Sequence, residues 1–309
     1  MIEQRGRLMP DLSVLVTGAS GFIGRHVTTY LLKRGFHVLT TDLKSADLNG
    51  DLCDKVFVLD VVTKLKFDAV VHLAALTDIK SSIQNPYQTY LVNDFGTLNI
   101  LEAASKNGVE RFIYASSANV YGLPPELPVR ESAPFNPRTP YDYSKVIGEY
   151  LVRSYAATKK IKTTILRSWK IFGEYERLTA AIPNFIRCCL KGEPIPLYNG
   201  GADTTDPYYA ENYARVVELC LLKEEAVGEV FNVGTGVERS IKEIAEEIKR
   251  LTNSDSQLLI LPPRSEAERE PMRSYPDISK LKRLLGYEPV VSFEEGLRRT
   301  IDWVKAVIG

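Results

Sequence analysis

The 309-residue chain predicts an α/β fold, a doubly wound parallel sheet followed by a smaller C-terminal α/β lobe. Three observations carry that expectation. Apolar strand runs alternate with helical patterns as far as Arg167. A glycine-rich turn, Thr17-Gly18-Ala19-Ser20-Gly21-Phe22-Ile23-Gly24, joins the first strand to the first helix. Beyond about residue 173 the strands become fewer, their spacing is mixed, and no second turn of that kind occurs.

The first strand is the apolar run Ser13 to Val16. Strand, glycine turn and helix form the order a backbone needs to set a phosphate against a helix N-terminus, because glycines reach positive φ and leave the amides open. Val27 and Leu31 continue the helical face, Gly35 suits its end, and a second strand from His37 stops at Asp42. An acid about 20 residues past the glycines accepts both ribose hydroxyls of NAD and repels the 2′-phosphate of NADP. The plainer alternative is an ordinary strand-to-helix turn followed by a surface aspartate.

After a polar loop with Gly50, Val56 to Leu59 reads as a short strand ending in Asp60-Val61, where an adenine edge would be read. Asp68 to Ala75 is a continuous apolar run, as in a strand covered on both faces. His72 within it reads as a satisfied core histidine, since no partner ligand lies at metal spacing. A helix is expected from about Tyr87 to Lys106, closed by Asn107-Gly108, with Asn93 and Asn99 polar on packed surfaces. The next strand, Arg111 to Ser117, turns polar only at its C-terminal serines, the end at which open α/β sheets bind ligands. A proline-dense connection from Gly122 to Pro140 precedes a helix from Tyr141 to about Thr158 and a strand from Thr163 to Arg167.

In the second half, Ile182 to Leu190 reads as a helix, Ile195 to Tyr198 as a strand, Asn199-Gly200-Gly201 as a turn, Glu211 to Leu222 as a helix and Val230 to Val233 as a strand. Capping-box patterns Ser240…Glu243 and Ser292…Glu295 open two further helices, and Pro262 to Pro276 reads as a charged loop. Residues 1–172 are expected to form the cofactor domain, rejoined by parts of 204–235, and 173–309 the substrate lobe.

Lysine plus arginine and aspartate plus glutamate both number 39, so no field favours nucleic acid or an anionic membrane. The four cysteines form no metal-ligand cluster with the three histidines and read as buried thiols in a reducing compartment. No signal-peptide core or membrane-length apolar run is visible, so a cytoplasmic location is expected.

The sharpest chemical pattern is Ser117 with Tyr141 and Lys145. Tyr141 and Lys145 stand four apart on one helical face. A phenol ionises near pH 10, so use as a base at neutrality requires lowering its pKa by about 3 pH units, roughly 4 kcal/mol of phenolate stabilisation. An ammonium and an oxidised nicotinamide nearby supply it. A tyrosine and lysine four apart are common on any helix; their place behind the glycine turn, with a serine at the preceding strand end, gives the pair its meaning.

These features together with Asp60-Val61, His72-Leu73-Ala74-Ala75, Asn93, Ser116-Ser117-Ala118-Asn119-Val120-Tyr121-Gly122 and Phe231-Asn232-Val233-Gly234-Thr235-Gly236 resemble the extended short-chain dehydrogenase/reductase family with its Rossmann-type fold. Within it the resemblance is to the NAD-dependent sugar-nucleotide epimerases of the UDP-glucose 4-epimerase type. It covers nearly the whole chain, with the motifs in family order. The resemblance implies that Gly18, Gly21, Phe22, Ile23, Gly24, Asp42, Asp60, Val61, Leu73, Ala74, Ala75 and Asn93 hold NAD. It makes Ser117, Tyr141 and Lys145 catalytic and places Thr77, Ala118, Asn119, Lys170, Tyr198, Arg264 and Arg269 toward a nucleotide-sugar substrate. It also implies a homodimer through the helices Tyr87 to Lys106 and Tyr141 to Thr158.

Three departures bear on activity. Ala118-Asn119 stands where the family's 4,6-dehydratases carry an Asp-Glu pair that eliminates water. Lys170 replaces a usual asparagine near the nucleotide phosphates, and Thr205 replaces an arginine that clamps the pyrophosphate. Lys170 either restores that charge, with Arg264 or Arg269 adding another, or is a solvated lysine. The reading that follows is a 4-epimerase; the alternatives are a ketoreductase, dehydrogenase or dehydratase of the same family and, outside catalysis, a dinucleotide-sensing regulator.

Overall fold

Strand β1 (Ser13–Thr17) sits at the centre of the molecule because its alternate residues serve two cores. Val14 and Val16 face one side of the sheet, Leu15 the other, as the two-residue period of a strand requires. The computed structural model describes residues 12–263 and 271–309. From β1 the chain runs through α1 (Phe22–Lys33) to β2 (His37–Asp42) and the short β3 (Leu48–Asn49), then α2 (Lys55–Lys64) and β4 (Ala69–His72). Helices α3 (Ile79–Gln84) and α4 (Pro86–Tyr90) lead into a π-turn (Leu91–Phe95) and α5 (Gly96–Lys106), followed by β5 (Arg111–Ser117), α6 (Pro140–Lys159) and β6 (Lys162–Ser168).

The remaining elements are β7 (Lys170–Phe172), α7 (Ala181–Lys191), β8 (Ile195–Tyr198), β9 (Thr204–Thr205), β10 (Pro207–Tyr209), α8 (Ala210–Leu222) and β11 (Val230–Val233). They end with β12 (Arg239–Ser240), α9 (Ile241–Thr252), β13 (Leu258–Leu261), α10 (Ser279–Leu285) and α11 (Phe293–Ile308). The main sheet is parallel throughout, in the order β11-β6-β5-β4-β1-β2-β3. The chain leaves β1 in one direction and returns to β4 on its other side, so a crevice opens at the C-terminal ends of those two neighbours. Helices α1 and α8 cover one face; α2, α5 and α6 cover the other. A third core of Phe172, Phe185, Ile186, Leu197, Ile244, Ile248 and Leu297 knits α7, α9 and α11 into the smaller lobe.

The run Val56 to Leu59 is helical, not a strand. Asp54 caps it by accepting from the Val56 and Phe57 amides, and Val58 and Val61 turn inward at a three-residue spacing while Val56 stays exposed. Its valines suggested a strand; the cap and the spacing prevailed. The sheet edge is taken instead by β3, whose Leu48 and Asn49 pair with Thr41 and Asp42. Asp60 therefore lies on an exposed helical face, paired with Lys64 at 3.3 Å, and Val61 belongs to the core.

The helix expected over 87–106 is present but interrupted by the π-turn, and Asn107 with Gly108 (φ +70°) closes it. Ser240 and Glu243 form the expected reciprocal cap, and Ser292 accepts from the Glu295 amide. The short strands β7, β9, β10, β12 and β13 and helix α10 were not legible in the sequence pattern. All of those strands pair within the second half or at its junction with β6.

Candidate functional site

At the β1–α1 turn Gly18 has φ +68°, and a Cβ there would lie 2.7 Å from the Ala74 backbone N and Cα. A Cβ on Gly24 would lie 2.1 Å from the Gly18 carbonyl oxygen. Both positions thus need glycine, which lets the end of β4 close against the turn. Gly21 is the N-cap of α1 and makes no side-chain cap, so the first-turn amides of Phe22, Ile23 and Gly24 are open to an anion. Asp42 at the end of β2 accepts from the Ser20 amide at 2.9 Å and the Leu43 amide at 2.7 Å, which fixes its carboxylate beside the turn. This cradle, with a carboxylate at ribose distance along the chain, fits a dinucleotide.

Leu73, Ala74 and Ala75 line the end of β4, where the Ala74 amide donates to Thr17 Oγ1 at 3.3 Å. The Asn93 side chain is occupied in holding that segment. It accepts from the Leu76 amide and donates to the Leu76 carbonyl and to Ser144 Oγ, at 2.7, 3.0 and 2.9 Å. His72 is the satisfied core histidine expected, with Nδ1 2.8 Å from Thr17 Oγ1 and Nε2 2.9 Å from Thr97 Oγ1. Burial holds it neutral, its pKa lowered to about 3.

Ser117, Tyr141 and Lys145 converge at the C-terminal end of β5. Thr139 and Asp142 open α6 with a capping box, and Pro140 occupies its first turn, so Tyr141 and Lys145 are set one turn apart on a firmly started helix. Tyr141 is 8% exposed. Burial raises its pKa to about 12, while the hydrogen bond with Ser117 pulls the other way. Lys145 Nζ donates to the Ala115 carbonyl at 2.9 Å and lies 5.9 Å from the Tyr141 ring centre. Its pKa is lowered to about 8, burial outweighing the pull of Asp94 and Glu149.

Behind them runs a buried network absent from the sequence reading. Ser116 Oγ donates to Glu149 at 2.7 Å; Arg167 grips both Glu149 oxygens at 2.8 and 2.7 Å and donates to the Tyr121 hydroxyl, which donates to Asn232. The available signal was the polar stripe Tyr141, Lys145, Glu149 at four-residue steps on one helix. Asp206, also missed, is buried and accepts from the Thr235 and Gly236 amides, which ties down the turn after β11.

A family model described as GDP-mannose 4,6 dehydratase matches residues 15–300. The chain belongs to the NAD-dependent epimerase/dehydratase family. UDP-glucuronic acid decarboxylase 1 of Danio rerio is 33% identical, over 94% of this chain and 72% of that protein. The structure of UDP-glucose 4-epimerase from Thermotoga maritima with UDP-glucose superposes with a TM-score of 0.90 at 28% identity, covering 96% of this chain and all of that one. A dTDP-glucose 4,6-dehydratase from Streptomyces venezuelae, solved with NAD, gives 0.85 at 28% identity, over 96% and 97% of the two chains. The family thus unites epimerases, dehydratases and decarboxylases of sugar nucleotides on one NAD-dependent scaffold, and this chain is an enzyme of that family.

Two family-implied contacts need correction. Asp60 and Val61 lie in α2, away from any strand end; the residues that follow the edge strand β3 are Gly50, Asp51 and Leu52. Lys170 does not offer a free positive charge for a pyrophosphate, because its Nζ is 2.5 Å from Glu176 Oε1. Ala118 and Asn119 form the short helical turn after Ser117, and Asn119 Nδ2 donates to Asp142 Oδ1 at 3.0 Å. Thr77 is exposed beyond β4, Tyr198 ends β8 in the smaller lobe, and Thr205 faces Arg239 across the β9–β12 pair. Arg264 and Arg269 lie outside the described residues.

Proposed function

We propose that the chain is a sugar-nucleotide 4-epimerase of the UDP-glucose/UDP-galactose type. The observation that carries this is the turn after Ser117. The family's 4,6-dehydratases, by the resemblance, hold an acid pair there; here the places are taken by Ala118 and by an amide engaged with Asp142. The site therefore keeps a phenol for proton transfer at C4 and lacks the acid next to it that water loss would use.

In this reading Tyr141, as phenolate, takes the proton of the sugar 4-hydroxyl, and Ser117 hydrogen-bonds the same oxygen. Lys145 stabilises the phenolate form of Tyr141 before it takes that proton. NAD, when bound, would supply a two-electron acceptor and donor at C4 and a positive charge beside the phenol. Gly18, Gly21 and Gly24 admit its pyrophosphate to the first turn of α1, and Asp42 takes its ribose hydroxyls. The sheet up to residue 172, with β11, holds the cofactor, and the smaller lobe selects the nucleotide sugar.

A homodimer completes the proposal. The outer faces of α3 to α6 leave Ile83, Tyr87, Phe95, Tyr143, Ile147 and Tyr150 exposed, Tyr87 at 75%, a set of large apolar side chains suited to a helix-on-helix contact.

The test is to incubate the purified protein with UDP-glucose, UDP-galactose, dTDP-glucose and UDP-glucuronate without added cofactor, and to read the products by proton NMR. Inversion at C4, with NAD released on denaturation, is expected. Appearance of a 4-keto-6-deoxy sugar or of carbon dioxide overturns the epimerase reading, and a stoichiometric demand for NADPH favours the ketoreductase.

A further inference from the structure

Ser117 stands on β5 while Tyr141 and Lys145 stand on α6, so two separate elements must be held in register for these groups to act together. Side-chain bonds tie β5 to that helix on the strand side of Ser117: Ser116 Oγ donates to Glu149 at 2.7 Å, and Lys145 Nζ to the Ala115 carbonyl at 2.9 Å. Beyond Ser117 the tie is Asn119 Nδ2, which donates to Asp142 Oδ1 at 3.0 Å, beside Tyr141 in the sequence. Only the amide nitrogen of an asparagine can donate to a carboxylate, which settles how the group is turned. Asp142 is itself fixed, because its other oxygen accepts from the Arg138 and Thr139 amides at 3.0 and 2.9 Å in the cap that starts α6.

The main-chain amide of Asn119, so held, donates to Ser117 Oγ at 3.2 Å. A serine hydroxyl has one proton to give and two sites that accept. With the Asn119 amide on one of the latter, the Ser117 proton is available to the Tyr141 oxygen, with which the serine forms a hydrogen bond. The far end of the turn has anchors of its own. The Asn136 amide donates to the Val120 carbonyl at 2.9 Å, and Val120 and Tyr121 are buried. Truncating Asn119 therefore loosens the Ser117 end and leaves the rest of the turn seated.

We propose that Asn119 is a positioning residue: its side chain, gripped by Asp142, sets the turn so that Ser117 serves as hydrogen-bond donor to the Tyr141 oxygen. The assignment rests on the roles given above to Ser117 and Tyr141, and it makes Asn119 a brace rather than the substrate contact that the family resemblance implies. A donor at that oxygen favours phenolate over phenol. Asn119→Ala removes the brace and none of the charged or titratable groups that face Tyr141, which are Lys145 and Asp142 of α6, Tyr114 of β5 and Tyr213 of α8.

The test titrates Tyr141 in full-length, NAD-loaded protein carrying tyrosine labelled with ¹³C at Cζ, the resonance being assigned by its loss in Tyr141→Phe. Asn119→Ala is expected to raise the Tyr141 midpoint by about one pH unit, a tenfold gain in proton affinity, and to move the acid limb of the kcat profile the same way with KM unchanged. In a Ser117→Ala background the same substitution adds nothing, because its effect runs through the serine. The exchanged pair, Asn119→Asp with Asp142→Asn, rebuilds the bond with donor and acceptor reversed and restores the midpoint. Asn119→Leu serves if the alanine variant does not fold. A midpoint unmoved in a folded variant, or one that moves as far in the Ser117→Ala background, overturns the proposal. A midpoint that moves as expected in a protein that epimerises no sugar nucleotide leaves the brace standing and overturns the 4-epimerase reading instead.

Discussion

In the proposed epimerase Tyr141 is the residue on which the chemistry turns, and its surroundings explain both its difficulty and its use. Burial alone makes the phenol a worse acid; only positive charge beside it, from Lys145 and an oxidised nicotinamide, reverses that. Tyr141→Phe is accordingly expected to lower kcat by about 100-fold or more with little change in KM, as read by steady-state kinetics. His72 gives a second prediction, on stability. Its folded pKa lies near 3, below the ordinary 6.5, so its contribution is complete above pH 6.5 and is lost as pH falls toward 3. Between pH 6.5 and 4 the loss amounts to roughly 3 kcal/mol, and urea unfolding of His72→Asn across that range should show a correspondingly shallower fall. Ser117, Tyr141 and Lys145 were legible from the sequence because a helix repeat and a strand end fix their relation locally. Arg167 was not, since only tertiary packing buries it.

Among the elements, α6 does more than carry Tyr141 and Lys145. One turn further on, Glu149 reaches across to Arg167 on β6, and this joins the helix to the two strands whose ends form the site. Removing the arginine would leave a fully buried carboxylate answered only by Ser116 and, at 3.8 Å, by Arg153. Arg167→Met is expected to cost about 3 to 5 kcal/mol by urea denaturation, and Glu149→Gln in the same chain should recover much of it. The misread segment 55–64 teaches a related lesson. A run such as Val-Phe-Val-Leu-Asp-Val-Val has strand-forming residues, yet the Asp54 cap and the inward spacing of Val58 and Val61 decide for a helix. Once it is helical, the sheet edge passes to β3, and the strand end expected at Asp60 does not exist.

For the whole molecule, alternation of strand and helix made the sheet legible, because parallel strands buried on both faces write long apolar runs. In the smaller lobe α7, β8, α9 and α11 were legible too, whereas β7, β9, β10, β12 and β13 were not, since they are two to four residues long and pair with distant partners. The exposed aromatic face of α3 to α6 belongs to this scale too. In the proposed homodimer, Tyr150→Glu is expected to shift the sedimentation velocity toward that of a monomer, because a charge set into an apolar contact loses its water without gaining a partner.

Strand β11 has a bearing on biosynthesis. It pairs with β6 only after the chain has made its excursion through the smaller lobe, so residues 165–168 wait for 230–233. A nascent polypeptide on the ribosome holds that flank of β6 bare for more than sixty residues of translation, and bare flanks recruit stray strands. A chain stopped after Leu222 should therefore collect in inclusion bodies while the full-length product stays in the supernatant.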